Sequence, residues 1–150
     1  SLSETRAEFS FGNVKLTTKL IDGSFPDYTK VIPTNNDKIM TVNAEKFYSA
    51  VDRVSTISSE KSRSVKINLK PGVLVLSASN PDASSAIEEI EVSYDGEEIE
   101  IGFNARYLIE IAQQINNDTM QIALSDPGSP SLIFSPNDKN NLFVLMPMRV

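Results

Sequence analysis

One pattern of elements occurs twice along this chain, and the duplication limits its fold more than any other feature. Ile39–Ala44 and Ile99–Ala105 are short strand-like segments that each end in Asn-Ala, and a segment of helical periodicity follows each one. Asn is a preferred N-cap residue, so each Asn predicts where a helix begins. Three more strand-like segments follow each helix. The repeated unit is therefore strand, helix and three strands.

The predicted helices cover Glu45–Ser58 and Arg106–Asn116, and each has one apolar face. These faces comprise Phe47, Ala50, Val51, Val54 and Ile57, then Leu108, Ile111, Ala112 and Ile115. The following strands are predicted at Ser64–Leu69, Val73–Ser79, Ala86–Tyr94, Met120–Ser125, Ser131–Ser135 and Leu142–Met146. Short turns with Pro, Gly, Asn or Asp separate most of them, which favours antiparallel pairing. The sequence thus predicts an α+β fold in which two helices pack on antiparallel sheets.

Residues 1–35 do not share this pattern. They contain two predicted strands, Arg6–Phe11 and Asn13–Leu20, and then a loop. Two strands alone are marginally stable. We therefore expect residues 1–35 to be the final strands of a preceding domain with its connector, and residues 36–150 to be the next domain. Because the chain begins with Ser rather than Met, we also expect it to be cut from a longer protein.

Composition excludes several classes of enzyme. The chain has no Cys and no His, which removes thiolate nucleophiles, disulfides, imidazole bases and His-ligated metals. No segment has the uninterrupted apolar length of a membrane span, and the first residues lack the pattern of a signal peptide. We therefore expect a cytoplasmic protein. The glycines do not form a phosphate-binding loop.

Charge is unevenly distributed. Residues 1–70 have 11 Lys or Arg and 8 Asp or Glu, whereas residues 71–150 have 3 and 12, and the whole chain carries a net charge of −6. An acidic protein still binds nucleic acid when its basic side chains share one face, because salt screens charges beyond about 10 Å. The distribution of charged residues is therefore compatible with nucleic-acid binding.

Three motifs resemble the C-terminal part of the bacterial DNA polymerase III beta subunit, the sliding clamp. They are the run at residues 23–28 with Val31-Ile32-Pro33 after it, the run at 101–108, and the terminal Met146-Pro147-Met148-Arg149-Val150. Their order and spacing agree with the family over essentially the whole chain. The resemblance implies the third clamp domain, preceded by the end of the second. It also implies a non-catalytic processivity factor that needs no cofactor.

In this family two three-domain subunits form a ring around duplex DNA, which is bound without sequence preference. Polymerase III subunits, the clamp loader and repair polymerases then bind through short peptides, and no membrane is involved. By the same resemblance the peptide site here includes Pro26, Lys30, Val31, Asn104, Tyr107, Gly128, Pro130, Val144, Leu145, Met146, Pro147, Met148, Arg149 and Val150. Lys30 stands where many relatives have Arg. Gly128 stands where relatives often have a side chain that lines the wall of the peptide pocket. From composition alone, Val144 and Met146 are better explained as ordinary strand core, because most apolar residues are buried, and the motifs reverse that preference.

The basic candidates for the DNA-facing surface are Lys46, Arg53, Lys61, Arg63 and Arg106, all on or near the helices. Such residues need only form a diffuse positive lining, because phosphate attraction is independent of sequence. The family also has an interface between its subunits at one edge of this domain. The resemblance suggests Ile57, Glu88 and Glu91 for that role.

Two other interpretations remain open from the residues. Carboxylates between Glu88 and Glu100 are a possible divalent-metal site of a carboxylate-dependent enzyme, although strand alternation points neighbours to opposite faces. Alternatively, the chain is a purely structural β-rich interaction module. Asp126-Pro127-Gly128-Ser129-Pro130 contains a serine, but the segment is typical of a turn, and only a carboxylate or lysine would be available as a base for that serine.

Overall fold

A computed structural model describes residues 1–24, 26–58, 63–80, 84–115, 118–138 and 140–149. The chain divides into two compact units, Ser1–Lys30 and Val31–Val150. The boundary predicted at residues 35 and 36 falls inside the second unit.

The first unit is a hairpin of β1 (Arg6–Phe11) and β2 (Val14–Lys19), followed by a 3-10 turn at Tyr28–Lys30. The register pairs Phe9 with Leu16 and Phe11 with Val14, so four apolar side chains share one exposed face.

The second unit contains both repeats. The first comprises β3 (Lys38–Asn43), α1 (Ala44–Ser55), β4 (Ser64–Lys70), β5 (Val73–Ser79) and β6 (Ser85–Glu91). The second comprises β7 (Ile99–Asn104), α2 (Ala105–Ile115), β8 (Thr119–Leu124), β9 (Ser131–Phe134) and β10 (Leu142–Leu145). The predicted α+β fold and its duplicated unit are confirmed.

The repeats exchange their first strands. One antiparallel sheet has the order β6-β5-β4-β7 and the other has β10-β9-β8-β3, so each sheet takes three strands from one repeat and one from the other. An isolated bridge between Thr41 and Ser93 joins the sheets on one side, and a bridge between Gly102 and Met148 joins them on the other. Because each repeat completes the sheet of the other, neither repeat has a complete sheet alone.

The core lies between the two helices and the inner faces of both sheets. Its largest fully buried side chains include Phe47 on α1, Leu108 on α2, Phe103 on β7 and Met120 on β8. Full burial of an apolar side chain of this size contributes roughly 1.5–3 kcal/mol. These packed faces fix where each helix lies on its sheet.

The first helix ends earlier than predicted. Its periodicity suggested an end at Ser58, but α1 stops at Ser55. The Thr56 amide donates to the carbonyls of both Arg53 and Val54, and the Ile57 amide donates to Val54. The bonds from Thr56 to Arg53 and from Ile57 to Val54 span three residues instead of four, so they tighten the last turn and terminate the α-helix.

Candidate functional site

A groove of about 670 Å³ runs between α2 and β10, at the edge of the second sheet. The groove-lining residues are Tyr107, Glu110, Ile111 and Gln114 of α2 and Leu142, Phe143, Val144 and Leu145 of β10. The apolar part of this lining suits aliphatic or aromatic side chains, and the few polar groups suit the orientation of a ligand.

The burial pattern of β10 corrects one interpretation of the sequence. Val144 and Met146 also fitted an ordinary strand core, but Leu145 is the buried residue of this strand and Phe143 packs against the same core. Leu142 and Met146 are exposed, and Val144 is partly buried. The strand therefore presents its other face outward, and the core interpretation is wrong for Met146.

The terminal segment continues past β10 and crosses to the other sheet. The Met148 amide donates to the Gly102 carbonyl of β7 at 2.8 Å. Pro147 has no amide hydrogen and cannot donate to the strand ladder of either sheet. Its position between the two sheets agrees with this. This bond holds the chain against the domain beyond the end of β10, along Met146, Pro147, Met148 and Arg149. Val150 lies outside the described residues.

Asn104 and Tyr107 lie at the start of α2. The Asn104 Oδ1 atom accepts from the Arg106 amide at 3.0 Å, so this side chain caps the helix. Tyr107 is 52% exposed and contributes to the groove. The structure therefore places Tyr107 beside Val144 and Leu145 in one groove.

Gly128 and Pro130 lie in the turn between β8 and β9. The Asp126 carboxylate accepts from the Gly128 amide at 2.8 Å and from the Ser129 hydroxyl at 2.6 Å. The hydrogen bond from Ser129 is the main cause that lowers the pKa of Asp126. The Pro130 carbonyl accepts from the Asn36 side chain. These contacts confirm that the segment is a turn, and neither Gly128 nor Pro130 lines the α2/β10 groove.

The remaining peptide-site candidates divide between the two units. Pro26 and Lys30 belong to the first unit, where the Lys30 ammonium lies 3.7 Å from the Asp27 carboxylate. Val31 begins the second unit and is exposed. The hydrogen bonds that the Asp27 carboxylate accepts from the Thr29 hydroxyl and amide lower the pKa of Asp27, which favours the charged partner for Lys30.

Two of the basic candidates share a cleft of about 370 Å³ between the end of α1 and the start of α2. Arg63 and Arg106 line it together with Asp52. The Arg106 Nε atom donates to Glu110 at 2.7 Å, and in the part of the chain that the structure describes this is the side-chain bond recorded for its guanidinium. Lys46 is exposed on α1, and Lys61 lies outside the described residues.

Arg53 has a different environment. Its guanidinium forms a two-pronged ion pair with Glu88 of β6, with Nε donating to Oε2 at 3.0 Å. The structure therefore joins a residue predicted to face DNA to one predicted at the interface between subunits. Glu91 lies nearby, because it lines a shallow cleft with Lys46 and Arg53. Ile57 lies in the turn after α1.

Several carboxylates of the acidic segment form ion pairs and hydrogen bonds with side chains on the surface of the first sheet. Glu98 contacts Lys70 at 3.2 Å and accepts from Asn68, while Glu100 contacts Lys66 at 3.0 Å. Within the ranges that the structure describes, no three carboxylates converge as metal ligands would. None of the described helices is long and apolar enough to cross a membrane.

Comparison with known proteins identifies the family. The family described as the C-terminal domain of the DNA polymerase III beta subunit matches residues 29–149. The chain belongs to this family. The beta sliding clamp of Caulobacter vibrioides is 50% identical over 149 residues, which is 99% of this chain and 40% of the relative. That of Pseudomonas aeruginosa is 36% identical over 146 residues, or 97% and 38% of the two chains.

Solved clamp structures agree with the fold. The Caulobacter crescentus clamp, crystallised with PEG bound at a region described as a beta-motif tethering region, gives a TM-score of 0.91 at 50% identity, over 99% of this chain and 40% of that chain. The Bartonella birtlesii clamp bound to griselimycin gives 0.87 at 51% identity, with the same coverage. This chain spans about 40% of the length of these relatives.

Part of the groove was missed by reasoning from the clamp motifs. Glu110, Ile111 and Gln114 were not predicted to be in the site, nor were Leu142 and Phe143. The α2 residues follow Tyr107 at spacings of three, four and seven, which places them on one side of the helix. That periodicity was available in the sequence and would have identified them.

Proposed function

We propose that this chain is part of a DNA sliding clamp and that its α2/β10 groove binds short apolar peptides of replication and repair proteins. The observation that carries the proposal is the groove itself, where exposed Tyr107 and Leu142 flank an apolar lining in a chain of this family. The griselimycin-bound Bartonella clamp and the PEG-bound Caulobacter clamp are relatives crystallised with a ligand, which supports ligand binding in this family.

In this proposal the chain acts without catalysis and without a cofactor, in the cytoplasm. Its partners are DNA polymerase III subunits, the clamp loader and repair polymerases, and the ring around duplex DNA is closed by a second clamp subunit. The 150 residues span only about 40% of a clamp chain. We therefore expect peptide binding, but no closed ring, from these residues alone.

A fluorescence-anisotropy titration tests the groove. The probe is a labelled peptide of the Gln-Leu-x-Leu-Phe type. We expect saturable binding to the chain, weakened about 5- to 50-fold by Leu142→Ala, because the few residues that dominate an interface each cost more than about 1 kcal/mol when truncated and we place Leu142 among them.

Ile39→Ala is the matched control. Ile39 and Leu142 are both 48% exposed, and they lie on opposite edge strands of the same sheet. Equal weakening by both variants contradicts a site in the groove. No binding to any folded variant contradicts peptide binding by this chain and favours a purely structural module.

The cleft between the helices supports the DNA part of the proposal. Arg63 and Arg106 offer sequence-independent phosphate contacts there. We expect weak duplex binding that falls steeply with salt, and a slope of log K against log salt that Arg106→Gln reduces by about 1. Arg6→Gln removes an exposed charge from the first unit and serves as the control. Binding that is insensitive to salt contradicts this part.

A further inference from the structure

The terminal segment is held at two points three residues apart. Ser131 is fully buried, and its hydroxyl donates to the Leu145 carbonyl at 2.9 Å, where β10 ends. The Met148 amide donates to Gly102 at 2.8 Å on the other sheet. Only Met146 and Pro147 lie between these anchors. The anchors therefore define the path by which the chain leaves the groove-lining strand.

The duplicated fold supplies an internal comparison. In the first repeat Leu74 of β5 pairs with Ile90 of β6, and both face inward. Ile90 lies three residues before the bridging residue Ser93. In the second repeat Ser131 pairs with Leu145, three residues before the bridging residue Met148. Leu74 and Ser131 are both 0% exposed. The same buried position accepts a leucine in one repeat, so the fold itself does not require a hydroxyl there.

The residues after the pair explain the difference. In the first repeat the Val92 amide donates to the Gly72 carbonyl at 3.1 Å and ties the segment to the neighbouring hairpin turn. Pro147 occupies the corresponding place in the second repeat and has no amide hydrogen to donate. The Ser131 hydroxyl provides a tie one peptide unit earlier, on the carbonyl of Leu145. The hydrogen bond from the Ser131 hydroxyl thus replaces the backbone N–H hydrogen bond that Pro147 cannot donate.

We propose that Ser131 is a positioning residue of the α2/β10 groove: its hydroxyl fixes the end of β10 and the course of residues 146–149 beside the bound peptide. The effect on peptide affinity rests on the proposed function. The effect on the terminal segment does not, because the Met148 bond to Gly102 lies within the chain itself.

The test compares Ser131→Ala with Ser135→Ala. Ser135 is the other buried serine of this hairpin and follows β9 directly, but its hydroxyl donates to Asp118 at 2.7 Å. Two quantities are measured: hydrogen exchange of the Met148 amide in the ¹⁵N-labelled chain, and the Kd of the Gln-Leu-x-Leu-Phe peptide. For Ser131→Ala we expect exchange about 5- to 10-fold faster and a Kd raised by a similar factor, the range for one lost hydrogen bond.

Ser135→Ala should lower the overall melting temperature while both quantities stay near wild-type values. Ser131→Thr keeps the hydroxyl and should restore slow exchange. Wild-type exchange at Met148 in Ser131→Ala overturns the proposal, and so does an equal change in Ser135→Ala. If the wild-type chain fails to bind the peptide, the proposed function fails, and the exchange of Met148 alone decides the role of Ser131.

Discussion

The start of each helix permits a matched stability experiment. Asn43 Oδ1 accepts from the Lys46 amide at 3.0 Å at the start of α1, and Asn104 Oδ1 accepts from the Arg106 amide at 3.0 Å at the start of α2. Each cap satisfies an amide that has no partner within the helix. Asn43→Ala and Asn104→Ala therefore remove one equivalent hydrogen bond from each repeat.

Loss of such a cap costs about 1 kcal/mol, within a range of about 0.5–2 kcal/mol. For a chain of this size that corresponds to a fall in melting temperature of about 2–4 °C. We expect both variants to show this loss in urea unfolding and in thermal unfolding. Asn→Asp at either position should retain most of the stability, because a carboxylate accepts the same bond and interacts favourably with the helix dipole.

The same pair of variants separates capping from ligand contact. Asn104 is also a predicted peptide-site residue, whereas Asn43 is its counterpart in the other repeat. If Asn104 touches the peptide, Asn104→Ala raises the peptide Kd and Asn43→Ala does not, at a temperature where both are folded. Unchanged stability of Asn104→Ala beside a destabilised Asn43→Ala would refute the capping argument.

Other expected outcomes follow from single contacts. Gly96→Ala places a Cβ 2.6 Å from the hydroxyl of buried Tyr94, so it should lower the free energy of unfolding by about 1–3 kcal/mol in urea titrations; an unchanged midpoint contradicts this. The hydrogen bond from Arg53 lowers the pKa of Glu88. The coupling free energy between the two side chains in a double-mutant cycle should therefore be present at pH 7 and disappear as the pH falls below about 4.5. A coupling free energy that persists in acid contradicts the ion pair. Arg63 has a left-handed φ of 44°, so Arg63→Asn should leave stability unchanged or raised while weakening duplex binding; a marked loss of stability contradicts this.

The duplicated pattern predicted the architecture because its signals are local. Caps at Asn43 and Asn104 and the apolar periodicity of both helices require no knowledge of the rest of the chain. The exchange of first strands between repeats was not predicted. It depends on the pairing of β3 with β8 and of β7 with β4, which are contacts distant in sequence.

The candidate site was predicted less completely, for the same reason. The motifs indicated Tyr107 and the terminal segment as candidates, but an apolar run such as 142–146 does not show which of its faces is buried. Register decides that, and the pairing of Leu145 with Ser131 fixes it only in the folded sheet. The ion pair between Arg53 and Glu88 likewise joins side chains 35 residues apart, which no local pattern reveals.

Peptide mapping by NMR tests the central claim most directly. The ¹⁵N-labelled chain is titrated with the unlabelled Gln-Leu-x-Leu-Phe peptide, and amide shifts are followed to saturation. We predict that the largest perturbations fall on Tyr107, Ile111 and the residues of β10, while Ile39 and Ile87 remain unchanged. Perturbations concentrated on β6, or none at saturating peptide, would contradict the assignment of the α2/β10 groove as the binding surface.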